Sequence, residues 1–148
     1  MANIYLMARE FKRKYPMTVA WRLRANASVI EKHLNTDEEI EYVFVAQKND
    51  NPLDILSTCV IALTNKRIVI GRKRVVFGYF FDNITTEMFN DLKAISGFIW
   101  GKIKIDTVKE LVMLSNIDNK ALPEIETKLS EFMIKACNDK NACDSCEQ

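Results

Sequence analysis

Apolar residues recur every three or four positions in the first quarter of the chain, and this spacing predicts two helices. The first covers about residues 3–15, with apolar positions at Ile4, Ala8, Phe11 and Tyr15. The second covers about residues 17–35, and Pro16 suits its first turn. Its apolar positions form a narrow seam that favours close packing on another surface. The seam consists of Ala20, Leu23, Ala27, Ile30 and Leu34.

After Asp37 the apolar period shortens to two, which predicts strands. The clearest alternation runs from Ile99 to Asp106. Strands are predicted at residues 40–47, 55–63, 67–70, 75–81, 92–96, 99–106 and 110–114. Turns are predicted at Lys48–Pro52, Gly71–Arg74, Asp82–Asn83 and Asp106–Thr107. Short strands in direct succession predict an antiparallel barrel or sandwich.

The helical spacing returns near the C-terminus. Residues 122–137 are predicted to form a helix with an inward stripe made of Leu122, Ile125, Leu129, Phe132 and Ala136. The polar residues after it are predicted to form a tail. The predicted organisation is a helical extension at residues 1–36, a barrel with its C-terminal helix at residues 37–137, and a Cys-containing tail at residues 138–148.

The composition changes this picture little. The chain has 148 residues, enough for one domain, and a net charge of +1, which does not favour nucleic acid as a partner. Residues 1–36 hold seven Lys or Arg residues and two acidic ones, so the extension is basic and the remainder is acidic. No apolar run is long enough to span a membrane, and charged residues from Arg9 onward interrupt any signal-peptide core. We expect a cytoplasmic protein, because three of the four cysteines crowd the C-terminus rather than forming a disulfide framework.

Several short motifs resemble the bacterial pleckstrin-homology-like (PH-like) domains of the YokE-like type. The segment from Ile61 to Ile70 resembles their Leu-Thr-Asn-x-Arg turn, which leads into an apolar strand. Further similar segments follow in the same order at Tyr79–Thr85, Gly101–Asp106 and Asn116–Ile117. The resemblance implies a mainly β (α+β) fold, a PH-like barrel of about seven antiparallel strands with a C-terminal capping helix, here preceded by two helices. It also implies a non-enzymatic interaction module, and the fold alone does not fix which ligand such a module binds.

Two sets of residues are candidate binding sites. The first is a basic cluster that could bind a phosphate or a lipid headgroup, or could simply be a solvated hairpin. It consists of Lys66, Arg67, Arg72, Lys73 and Arg74. The second is the apolar seam of the second helix, which could pack on the barrel or on a second subunit. In phosphoinositide-binding relatives the cations gather at the first loop, whereas the matching residues 47–54 here hold one Lys and two Asp.

Other chemistry has little support in the sequence. Cys137, Cys143 and Cys146 offer three sulfur ligands without a nearby histidine, one short of a zinc site. His33 is the only histidine and has no evident catalytic partner. The four glycines are scattered, so no phosphate-binding loop is predicted. We therefore expect no cofactor, no metal and no small-molecule substrate.

Two functions remain. The first hypothesis is a module that binds a protein or peptide partner, including a second copy of itself. The alternative is a peripheral membrane module that contacts anionic lipid through the basic N-terminal helices and the Arg72–Arg74 turn.

Overall fold

The computed structural model describes residues 3–48, 57–75 and 77–146, which form three α-helices and seven strands. The helices are α1 (Ile4–Lys14), α2 (Leu23–His33) and α3 (Leu122–Cys146). The strands are β1 (Ile40–Gln47), β2 (Thr58–Thr64), β3 (Arg67–Lys73), β4 (Tyr79–Thr85), β5 (Phe89–Ile95), β6 (Trp100–Thr107) and β7 (Leu111–Asp118). The order of elements confirms the predicted fold class.

All the strand pairs are antiparallel, in the order β4-β3-β2-β1-β7-β6-β5. The two halves of the sheet meet where β1 pairs with β7 at Gln47 and Ser115. Helix α1 packs against β1 and α2. Its Phe11 ring lies 6.3 Å from the ring of Phe44 in β1. The first helix is therefore part of the same apolar core as the barrel.

Helix α2 covers the outer face of β2 and β3, and this explains the continuous apolar runs in those strands. Every residue of β2 is buried, because one face points into the barrel and the other lies under the helix. Gly71 in β3 marks the closest approach. A Cβ atom at this position would lie 2.6 Å from Cγ1 of Ile30.

The first half of α3 packs on the core through Leu122, Ile125, Leu129 and Phe132, which confirms these positions of the predicted stripe. The helix then continues to Cys146, through most of the residues predicted to form a tail from residue 138. The reason is that no Gly or Pro follows Pro123, and each added residue extends an existing helix at little cost. Residues 147 and 148 lie outside the described residues. None of the three described helices has the length and hydropathy needed to cross a bilayer.

Helix α2 begins six residues later than predicted, at Leu23. The preceding segment instead bonds to β7, where Val19 N–H donates to the carbonyl of Asn116 at 3.1 Å. The Thr18 hydroxyl accepts from the N–H of Asp118 at 3.0 Å. Arg22 then takes a left-handed conformation with φ of 55°, which separates this segment from the helix.

The predicted turn at Asp82–Asn83 is wrong, and the one predicted at Gly71–Arg74 starts too early. Gly71 pairs with Phe81, and Asp82 pairs with Ile70, so Gly71–Lys73 and Asp82–Asn83 are paired strand and the turn begins at Arg74. The turn predicted at Asp106–Thr107 lies slightly later, because Thr107 still belongs to β6 and its N–H donates to the carbonyl of Glu110. The turn predicted at Lys48–Pro52 and the start of the predicted strand 55–63 lie largely outside the described residues.

Candidate functional site

The connection between β3 and β4 is a hairpin with cations at its base and apolar side chains at its tip. We call Arg72, Lys73, Arg74, Val75, Phe77 and Phe80 the basic hairpin. Arg74 N–H donates to the carbonyl of Gly78 at 3.1 Å and closes the loop. Gly78 has φ of 77°, in the left-handed region that residues with a side chain rarely adopt.

Three cations of the described chain converge on the ring of Phe80. Lys48 Nζ lies 5.5 Å from the ring centroid, and the guanidinium carbons of Arg72 and Arg74 lie at 5.2 and 5.3 Å. The negative face of an aromatic ring attracts cations at this distance. The ring therefore helps to gather positive charges that would otherwise repel one another.

A cavity of about 190 Å³ opens beside this ring, between β2, β3, β4 and Lys48, which follows β1. Its lining residues are Lys48, Cys59, Ile70, Arg72, Phe80 and Asp82. Lys48 Nζ lies 3.4 Å from Asp82 and 3.6 Å from Glu110, so part of its charge is compensated. Burial raises the pKa of the Cys59 thiol to about 11, which keeps the thiol neutral near neutral pH. The cavity thus has two cations, Lys48 and Arg72, and one carboxylate, Asp82, in its lining.

The tip of the basic hairpin presents apolar side chains to solvent between exposed cations. Phe77 is 84% exposed, and Val75 is also exposed. The neighbouring Lys73 and Arg74 are exposed as well. Apolar side chains flanked by cations are typical of surfaces that contact the headgroup region of a membrane.

The start of α2 fixes the base of the hairpin. The side-chain carbonyl of Asn26 accepts from the N–H of Lys73 at 2.8 Å. Arg22 donates through Nη1 to the carbonyl of Lys73 at 3.2 Å. The partly exposed Trp21 precedes this arginine. The basic extension therefore adds a cation to the base of the basic hairpin, and the Arg22 guanidinium in turn lies 5.6 Å from the Trp21 ring.

The structure splits the predicted basic cluster into two places. Arg72, Lys73 and Arg74 lie at the hairpin, whereas Lys66 and Arg67 lie at the other end of β3. Arg72 lies five positions after Arg67 along an extended strand, a distance of about 17 Å. Lys66 forms an ion pair with Asp37. These two residues are not part of the basic hairpin.

Arg67 instead binds a buried carboxylate. Its Nε and Nη2 atoms donate to Glu38 at 3.2 and 2.7 Å, and Nη2 also donates to the carbonyl of His33 at 3.0 Å. The Glu38 side chain is 0% exposed. Burial alone would raise the pKa of Glu38, but the bonds from Arg67, from the N–H of Asn35 and from the Thr64 hydroxyl together hold it below its ordinary value. This arrangement ties the end of α2 to β3.

The apolar seam is used inside the chain. Ala27 and Ile30 are fully buried, and Ala20, Leu23 and Leu34 are partly buried against the core. Helix α2 therefore packs on the barrel of its own chain along this seam.

His33 has structural contacts. Its Nδ1 atom donates to the carbonyl of Val29 at 2.6 Å, and its ring stacks on Phe81 with centroids 4.4 Å apart. Among the described residues, no group of three or more His, Cys, Asp or Glu side chains could hold a metal ion. The side chains of Cys137, Cys143 and Cys146 lie outside the described part of the chain.

A second cavity, an open groove of about 660 Å³, lies between α1, β1 and the start of α3. Its floor and rim consist of Leu6, Met7, Glu10, Phe11, Arg13, Lys14, Tyr42, Val43 and Glu124. We call this groove the α1 groove, and it was not predicted from the sequence. The only signal was the pair of apolar residues at Leu6 and Met7, which fall beside the predicted stripe of the first helix.

Glu124 organises the rim of the α1 groove. It accepts from Lys14 Nζ at 2.7 Å and from the Tyr42 hydroxyl at 2.8 Å. Burial would raise the pKa of Glu124, but these bonds outweigh it and lower the pKa. Burial, and then the neighbouring carboxylate, raise the pKa of Tyr42. The charges of Lys14 and Glu124 thus balance each other in a hydrogen-bonded rim around an apolar floor.

Comparison with known proteins identifies one family. A sequence model described as "Bacterial PH domain" matches residues 34–131. Among solved structures, the pleckstrin homology domain of Shewanella amazonensis SB2B is similar, with 13% identity and a TM-score of 0.49 over 73% of this chain and 95% of that chain. No curated protein matches this sequence.

Proposed function

The chain belongs to the bacterial PH domain family, and we propose that it is a peripheral module that docks reversibly on anionic membrane surfaces through the basic hairpin. PH-like domains are interaction modules, and the fold alone does not choose among lipid, peptide and protein ligands. The choice therefore depends on the surface that this chain presents.

One observation carries the proposal. The highly exposed Phe77 and the exposed Val75 lie at the tip of a hairpin whose next residues toward the barrel are Arg74, Lys73 and Arg72. This order places apolar side chains where they can enter the acyl boundary and cations at the depth of the phosphates. The cavity beside Phe80, which Lys48 and Arg72 line, supports this reading by adding cations close to the hairpin.

The expected affinity is modest. Three cations near an anionic surface contribute about 1 kcal/mol each. Burial of a Phe side chain adds about 2 kcal/mol. The total of about 5 kcal/mol corresponds to a dissociation constant of about 0.2 mM, so attachment through one hairpin is reversible and depends on salt.

Cosedimentation with vesicles tests the proposal. We expect the protein to pellet with vesicles of phosphatidylcholine and phosphatidylserine at low salt, and to stay in solution with phosphatidylcholine alone or at high salt. Phe77→Ser and Arg74→Ser should each reduce the pelleted fraction. Ile134→Ser removes another exposed apolar side chain, from α3, and should leave the pelleted fraction unchanged.

A second vesicle set separates two sources of the negative charge. Vesicles carrying a phosphorylated phosphatidylinositol are compared with phosphatidylserine vesicles of equal total charge. Equal binding to the two kinds of vesicle means that the hairpin responds to surface charge. Stronger binding to the phosphorylated phosphatidylinositol vesicles, lost in Arg72→Ser, means that the cavity holds a headgroup. Wild-type protein that fails to pellet with either anionic vesicle at low salt refutes the proposal.

The second candidate function is binding of a protein partner. The observation that favours it is the α1 groove, because exposed apolar surface rimmed by polar residues is typical of sites that contact another protein.

A further inference from the structure

The cavity beside Phe80 places charges of both signs above an apolar floor. The floor consists of the buried side chains of Cys59 and Ile70. Its charged lining, among the described residues, consists of Lys48, Arg72 and Asp82. A ligand that carried only negative charge would be repelled by the carboxylate of Asp82. The lining therefore matches a ligand with two anionic groups and one cationic group.

Strand pairing sets the positions of these charges. Arg72 lies directly opposite Phe80, and Ile70 lies directly opposite Asp82. Side chains two positions apart on a strand share a face, so Arg72 and Asp82 point to the same side of the β3–β4 pair. Diagonal neighbours of this kind lie about 7–8 Å apart, which leaves space for a small polar group between them.

The present contacts of Lys48 and Asp82 are loose. Lys48 Nζ lies 3.4 Å from Oδ2 of Asp82 and 3.6 Å from Glu110, whereas a bond between an ammonium and a carboxylate is usually about 2.8 Å long. Oδ1 of Asp82 accepts from the N–H of Asn83 at 2.8 Å, which holds the carboxylate in place. An ammonium has three donors and a carboxylate has about four acceptor sites. Both groups can therefore form shorter bonds to a ligand.

We propose that this cavity binds the phosphoserine headgroup of phosphatidylserine. The headgroup carries a phosphate, a carboxylate and an ammonium, which is the reverse of the charge pattern in the lining. The phosphate binds Arg72, the carboxylate binds Lys48, and the ammonium donates to Asp82. The inference rests on the proposed membrane function and names the lipid that the module prefers.

The order of the charges along the hairpin agrees with a lipid. The Arg72–Phe80 pair lies nearer the hairpin tip than the Ile70–Asp82 pair. The phosphate, which connects the headgroup to the lipid tails, therefore meets Arg72 first, and the ammonium reaches Asp82 deeper in the cavity. Phe77 at the tip is three residues from Phe80, at most about 10 Å along the chain. Insertion of Phe77 at the acyl boundary thus brings the mouth of the cavity to the headgroups.

The size of the cavity suits the serine part of the headgroup. Its volume of about 190 Å³ equals that of about six water molecules at about 30 Å³ each. Other phosphate-bearing groups match the lining less well. Phosphatidylglycerol and the phosphorylated phosphatidylinositols have no ammonium, and phosphatidylethanolamine has no carboxylate. A phosphoserine within a protein chain has both groups tied up in peptide bonds.

Vesicle binding at equal surface charge tests the inference. Vesicles of phosphatidylcholine with phosphatidylserine are compared with vesicles that hold the same fraction of phosphatidylglycerol, which has the same net charge. We expect binding to phosphatidylserine to be about tenfold tighter, the contribution of one additional charge-assisted hydrogen bond. O-phospho-L-serine should release the protein from these vesicles at a lower concentration than glycerol 3-phosphate, which has an equal net charge and no ammonium.

Two variants locate the preference. Asp82→Asn keeps the shape of the side chain and should bind the two kinds of vesicle equally. Glu110→Gln is the matched control, because it removes one negative charge beside Lys48 without lining the cavity. It should bind both kinds of vesicle more tightly and keep the preference for phosphatidylserine. A loss of stability would lower both affinities together and would not change their ratio.

Failure of this inference is distinct from failure of the proposed function. Wild-type protein that binds the two kinds of vesicle equally refutes the phosphoserine site alone, and wild-type protein that binds neither refutes membrane docking as well. A preference that persists in Asp82→Asn, or that Glu110→Gln also removes, overturns the assignment to the cavity. Release by O-phospho-L-serine without any preference between the vesicles would assign the cavity to a free phosphoamino acid and overturn the assignment to a lipid.

Discussion

Replacing Arg67 with methionine tests the division of the basic residues into a structural pair and a binding hairpin. The substitution keeps an unbranched side chain of similar length and removes every hydrogen bond from the guanidinium to Glu38 and to the carbonyl of His33. The Glu38 side chain has no exposed surface and would be left without its cation. Breaking a buried ion pair by removing one partner costs about 3–5 kcal/mol.

The lower end of that range applies here. Glu38 still accepts from the N–H of Asn35 and from the Thr64 hydroxyl, so part of its carboxylate stays satisfied. We expect Arg67→Met to lower the free energy of unfolding by about 3 kcal/mol in urea denaturation. Replacing both partners, as Arg67→Met with Glu38→Leu, should recover most of the loss, because the carboxylate left unpaired is then absent.

Lys66→Met is the matched control. Its ion pair with Asp37 is exposed, so its loss should leave the denaturation midpoint unchanged within error. The same variants are then tested with anionic vesicles. If Arg67→Met is as stable as the wild type and loses vesicle binding as Arg74→Ser does, Arg67 belongs to the binding surface and our reasoning is wrong.

Three further changes test the core and the pH response. Gly71→Val should lower stability by about 2 kcal/mol in thermal melting, because its Cβ would lie 2.6 Å from Ile30; unchanged stability would mean that α2 is placed wrongly. Phe132→Ala should cost about 3–5 kcal/mol in urea, and no loss would contradict the packing of α3. Folding lowers the pKa of Glu38 below its ordinary value of 4.5. The ionised carboxylate therefore adds its full contribution to folding stability above pH 4.5, and this contribution is lost as pH falls through the folded pKa. Glu38→Gln should therefore show a flatter fall in stability below that pH, and a wild-type slope would refute the assignment.

The order of elements could be predicted from the sequence because apolar period and burial agree in most of them. The alternation in β6 and the helical stripe of α3 reflect one buried face each. The pattern failed where tertiary contacts set the conformation. Gly71 resembles a turn residue in sequence, yet its role is to let α2 approach β3 closely.

The candidate site could be predicted only in part. Arg72, Lys73 and Arg74 are adjacent in sequence and remain together in the structure. Lys66 and Arg67 lie apart from them, because a step of five positions along an extended strand, from Arg67 to Arg72, covers about 17 Å. Lys48 was missed, because only the pairing of β1, β2, β3 and β4 brings it to the ring of Phe80. The α1 groove was missed for the same reason, since it exists only once α1 has docked on β1.

The N-terminal helices decide which surfaces of the barrel remain open, and we expect them to be inseparable from it. Ile4, Ala8 and Phe11 belong to the same buried cluster as the strands, and α2 covers the outer face that includes Val69 and Gly71. A chain that starts at Thr36 would expose this apolar face to water. We therefore predict that the truncated chain is far less stable in urea than the full chain and aggregates during size exclusion. A truncated chain that stays monomeric and as stable as the full chain would show that residues 1–36 are a separable extension.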